Sequence, residues 1–124
     1  AVFDNHTHSM QFAGNGASFL HISGNTTSKY KTSKAYFGQS AIEFPSQTLQ
    51  FSENDRFYFY TDGFQDQVGG ESHKKFMSQN FNEFLSGVSN FSCQDQKEKI
   101  EQTFLAFKGD HEQIYYILIL GLKV

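Results

Sequence analysis

Five consecutive residues, Arg56-Phe57-Tyr58-Phe59-Tyr60, place aromatic rings on both parities of an extended chain. Successive side chains of a strand point to opposite faces, so this run is stable only where both faces of its sheet are covered. The requirement implies a layered fold with this strand inside it. Shorter strands precede it. Met10 and Phe12 alternate with Ser9 and Gln11 ahead of a Gly14-Asn15-Gly16 turn. Phe19, Leu20 and Ile22 lead to a break at Ser23-Gly24-Asn25, and Leu49 and Phe51 alternate with Thr48 and Gln50.

Beyond residue 76 the period changes. Met77, Phe81, Phe84, Leu85 and Val88 fall at the spacing of one helix face, and Gln94 to Lys108 predicts a second helix. Ile100, Phe104 and Phe107 form its stripe and Gly109 its stop. Ile114 to Leu120 is a continuous apolar run too short for a buried helix and reads as a central strand. Strands, two helices and a last interior strand give an α+β class, with helices against a mainly antiparallel sheet.

At 124 residues the chain is expected to be one domain, residues 1–124, or part of one. Its opening, Ala1-Val2-Phe3-Asp4, reads as the end of a strand, which suggests a piece of something longer. A net charge of −3 gives no electrostatic reason to expect nucleic acid or an anionic membrane as partner. No apolar run reaches the roughly 20 residues of a spanning helix. The single cysteine, Cys93, excludes an internal disulfide; it reads as a partly buried residue near a helix start, and the default location is cytoplasmic.

The segment richest in chemistry is Tyr60-Thr61-Asp62-Gly63. An Asp just past a buried strand stands at a fixed height above the sheet, and the glycine allows close backbone approach. Such a carboxylate suits a hard cation, Mg²⁺ or Mn²⁺. An ordinary Asp-Gly turn is the competing reading, and on local chemistry alone it is the favoured one, because Asp-Gly is a common turn pair.

The wider stretch Asp55 to Gln67, with Gly69-Gly70 and Lys74-Lys75-Phe76, resembles the stage II sporulation protein E (SpoIIE) family of PPM-type serine/threonine phosphatases. Met10 to Asn15 and Lys108 to Gln113, the latter followed by an apolar strand ending Leu120-Gly121, are similar to that family's earlier and closing segments. The resemblance implies an α–β–β–α sandwich of which this chain is the C-terminal portion. It implies two Mn²⁺ or Mg²⁺ ions and hydrolysis of a phosphoserine or phosphothreonine by metal-activated water. The usual substrate is a phosphorylated anti-sigma-factor antagonist of the STAS type. Asp62 matches a family metal ligand and Gly63 its partner in the motif. Gly69, Gly70, Lys74 and Lys75 match a flap-like segment after that turn, where a mobile glycine pair and basic residues would meet an acidic phosphoprotein; a solvated helix start is the plainer alternative.

Two departures limit the expectation. The family's N-terminal Asp-x-x-Gly-His-Gly motif is absent, and its closing pair of acids is replaced by Tyr115 and Tyr116. A phenol, ordinarily titrating near pH 10, brings no charge to a dication at neutral pH. The chain alone is therefore expected to hold no useful metal site. It would be part of a larger phosphatase, a degenerate relative kept for binding, or a chain with engineered tyrosines. Unpaired apolar surface predicts a homo-oligomer. His6 and His8, two apart, read as a turn rather than a chelate; His21, His73 and His111 receive no role.

Overall fold

The computed structural model describes residues 1–32, 34 and 44–124. In chain order the elements are β1 (Val2–Asp4), β2 (Ser9–Phe12), β3 (Ser18–Ser23), β4 (Thr26–Lys31), β5 (Gln47–Gln50), β6 (Arg56–Tyr60), α1 (Gly63–Asp66), β7 (Val68–Gly69), β8 (Lys74–Lys75), α2 (Ser78–Val88), α3 (Cys93–Lys108) and β9 (Ile119–Lys123). The expected α+β class is observed. Among the described residues the strands form three sheets, ordered β1-β2-β5, β4-β3-β6-β9 and β7-β8. Two compact units divide the chain: Ala1–Phe59 with Leu122–Val124, and Tyr60–Gly121. None of the described helices is long and apolar enough to cross a membrane.

The first unit is a β-sandwich. Met10 and Phe12 of β2 meet Phe19 of β3, Phe51, and Phe57 of β6 in one buried cluster. Its rings join edge to face: Phe12 and Phe19 lie 4.8 Å apart at 81°, and Phe3 and Phe57 5.1 Å apart at 74°. Such pairs add about 0.5–1.5 kcal/mol each beyond the area they bury. The two-sided burial expected of β6 is present, with Phe57 and Tyr58 both buried on opposite parities. Antiparallel pairing places His21 opposite Phe57 and Phe19 opposite Phe59, which fixes the inward face of β3.

In the second unit Phe64 of α1 is the hub. Its ring lies 5.0 Å from Phe76, 4.7 Å from Phe81 of α2 and 5.2 Å from Phe104 of α3. The α2 stripe is buried at Phe81, Leu85 and Val88, as its spacing predicts. Met77 departs from that stripe: it precedes the helix with φ of 80° and is exposed. Its amide donates to Gln65 O, which takes its backbone out of the helical path. Ser92 caps α3 by accepting from Asp95 N at 3.1 Å, and α3 ends at Gly109 with φ of 52°. Cys93, expected to be partly buried, is exposed on the first turn.

The central strand expected over Ile114 to Leu120 is overturned. The strand begins only at Ile119 and lies at the end of the sheet order. At Leu118 the amide donates to the Thr61 side chain rather than to a strand carbonyl, which interrupts the ladder. The apolar continuity is real, but Ile114 is 72% and Tyr116 95% exposed among the described residues.

Candidate functional site at the end of strand β6

Thr61 organises the turn after β6. Its amide donates to Leu118 O at 3.0 Å, and its hydroxyl donates to Tyr116 O at 2.9 Å while accepting from Leu118 N at 3.0 Å. One β-branched side chain thus holds residues 116–118 alongside Asp62 and Gly63. Gly63 is required by that closeness: a Cβ there would strike the Tyr116 carbonyl and crowd Ile117. The expected close backbone approach is present, and residues 116–118 are what approach. Asp62 is left exposed, and its carboxylate does not cap α1.

Lys75 enters the same neighbourhood from β8. Its ammonium lies 3.0 Å from Asp66 Oδ1. That hydrogen bond and the Asp66 charge raise the Lys75 pKa, outweighing a small opposing effect of burial, with smaller contributions from Tyr115 and Asp62. Asp66 and Thr61 have no task legible from sequence. Asp66 is signalled only by the basic pair eight and nine positions later, and Thr61 by nothing local.

The donor set can be tested against a two-metal centre. Asp62 offers one free carboxylate; Asp66 already has an ammonium partner; Tyr116 O is occupied by the Thr61 hydroxyl. Tyr115 and Tyr116 contribute exposed phenols in place of charge. Among the described residues no three His, Cys, Asp or Glu side chains converge. Two hard dications need several anionic oxygens, and these residues do not fit such a pair.

The segment read as a flap or helix start is a β-hairpin, with Val68 opposite Lys75 and Gly69 opposite Lys74. Its glycines are held by close contact. A Cβ on Gly69 would strike the Phe107 carbonyl, and Gly70 N donates to that same oxygen at 3.0 Å. A groove of about 800 Å³ follows the hairpin, lined in part by Lys74, Phe76, Met77, Asn80 and Phe107.

The histidines divide by setting. His6 and His8 lie in a turn, where His6 N donates to Asp4 Oδ1 at 2.8 Å. His21 is buried, stacked 4.6 Å from Phe57 and 2.7 Å from Asp55 Oδ2. Burial pushes the Asp55 carboxyl up, but the Ser52 amide, the His21 imidazole and the Ser23 hydroxyl together hold it below its ordinary 3.8. His73 Nδ1 and His111 Nε2 are 2.7 Å apart, and His111 Nδ1 is 3.0 Å from Lys108 O.

No family model matches the sequence, and no curated protein matches it significantly. Solved structures do. The SiaA-PP2C domain of Pseudomonas aeruginosa superposes with a TM-score of 0.85 at 26% identity, over 98% of this chain and 48% of that one. The PP2C phosphatase domain of SpoIIE from Bacillus subtilis, solved with a fragment of its regulatory domain, gives 0.72 at 12% identity, over 98% of this chain and 36% of that one. A Mn-presoaked SpoIIE phosphatase domain gives 0.67 at 13%, over 99% and 54%. The chain therefore spans about half, or less, of the length of these relatives.

Proposed function

We propose that this chain, which has the fold of the PP2C (PPM-type) phosphatase domains, is a scaffold and partner-binding portion of such a domain that does not turn over substrate by itself. The observation that carries the reading is the turn stitched by Thr61, which sets the Tyr116 carbonyl against Gly63 and leaves Asp62 the one free carboxylate of that turn among the described residues. One carboxylate cannot balance two dications. The family's reaction, two-metal hydrolysis of phosphoserine on a regulatory protein, would need acids that this chain lacks at residues 115 and 116. In this reading the substrate class is a STAS-type phosphoprotein, met through the hairpin of Gly69, Gly70, Lys74 and Lys75. Lys74 is the stronger contributor there, since Asp66 already neutralises Lys75.

Calorimetric titration with Mn²⁺, paired with p-nitrophenyl phosphate hydrolysis, tests the proposal. The expected result is no saturable binding and no metal-dependent turnover; either one overturns it. Tyr115→Asp with Tyr116→Asp is expected to raise Mn²⁺ affinity measurably. A second reading, self-association, is favoured by the exposed run of Ile114, Tyr116, Leu118 and Leu120. Light scattering after size exclusion decides it, and a monomer at all concentrations removes it.

A further inference from the structure

His73 and His111 come from parts of the chain 38 positions apart, yet their ring nitrogens meet at 2.7 Å. His111 Nδ1, 3.0 Å from Lys108 O, carries the hydrogen and donates it. That bond makes Nε2 the acceptor that faces His73 Nδ1, and a ring nitrogen fixed by a carbonyl in this way is the outer-shell arrangement that orients metal-bound imidazoles. His73 is held in the left-handed region with φ of 50°, which non-glycine residues adopt uncommonly. Its amide donates to Gly70 O, and Gly70 N donates to Phe107 O, so both imidazoles are anchored to the end of α3.

We propose that His73 and His111 form a two-imidazole site for a borderline-soft divalent cation of the Zn²⁺ type, separate from the Asp62 edge. Without metal, the His73 Nδ1 hydrogen fills the His111 lone pair. On binding, neutral His73 moves that hydrogen to its own Nε2, and both facing nitrogens become donors to the cation with no net proton released. Zn–N bonds of about 2.0–2.1 Å at a tetrahedral angle set the nitrogens about 3.3 Å apart. The pair therefore opens by roughly 0.6 Å, within reach of side-chain rotation for an exposed His73. Imidazole nitrogen selects Zn²⁺, Cu²⁺ or Ni²⁺ over Mg²⁺. Water completes the coordination, since among the described residues no third His, Cys, Asp or Glu joins the group. The bound ion would clasp the β7–β8 hairpin to the turn after α3.

The test is calorimetric titration of the metal-stripped 124-residue chain with Zn²⁺ alone, with imidazole ¹⁵N shifts recorded in parallel. One saturable equivalent is expected, with both His73 and His111 nitrogens shifting. His73→Ala and His111→Ala should each weaken binding about tenfold or more. His6→Ala with His8→Ala should leave it unchanged, and Mg²⁺ should give no signal. His73→Ala alters only an exposed side chain, so its result stands even if His111→Ala fails to fold. Absence of saturable Zn²⁺ binding, or binding that His73→Ala leaves intact, overturns the proposal.

Discussion

Asp55 and Asp62 flank the same aromatic strand, yet their carboxylates live in opposite settings. Asp55 is 2% exposed and accepts from the Ser52 amide at 2.9 Å while meeting His21 at 2.7 Å. Its backbone is also tied, since Val124 N donates to Asp55 O. Asp62 is exposed and caps nothing. A carboxylate with its lone pairs filled is part of the architecture, whereas one with them open is available for chemistry. The residue type says neither; the partners decide.

The sharpest test of that contrast is Asp55→Ala. It strands the Ser52 amide and the His21 imidazole in a buried place, and a loss of about 3 kcal/mol in denaturant unfolding is expected. Because the Asp55 pKa is lowered on folding, its contribution is present above pH 3.8 and lost as pH falls further, through the folded value. Thermal melts should therefore weaken below about pH 4, and Asp55→Asn should blunt that acid dependence. Gly63→Ala follows, at about 1–3 kcal/mol, because its Cβ would push the Tyr116 backbone away from the turn. Tyr60→Phe removes a 3.1 Å bond to Asn82 and should lower stability by about 1 kcal/mol. Burial pushes the Tyr60 phenol up to about 12, so spectrophotometric titration should find one fewer late-titrating tyrosine in that variant. Asp62→Asn should stay within about 0.5 kcal/mol of the parent. A large loss there would mean that Asp62 is structural after all, and the contrast would fail.

Much of this was legible along the chain where the signal is local. Alternation located β2 and β5, aromatic parity marked β6 as doubly covered, and helical spacing placed α2 and α3. Continuity misled at Ile114 to Leu120, because an apolar run reports what would be favourable to cover and not what covers it. The site was half legible. Asp62 and Gly63 stood out through a strand followed by Asp-Gly, but the Thr61 hydroxyl bonds a carbonyl 55 positions away. His21 with Asp55 and His73 with His111, separated by 34 and 38 positions, likewise gave no local pattern.

The shared Phe107 carbonyl carries one further meaning. It lies in the last turn of α3, where a carbonyl lacks an intrahelical amide and is ordinarily left to water. Here Gly70 supplies the missing donor. Fraying of the helix terminus and loosening of the hairpin are consequently one event, and the stiffness of a sixteen-residue rod extends into a two-residue ribbon that could not hold its shape unaided.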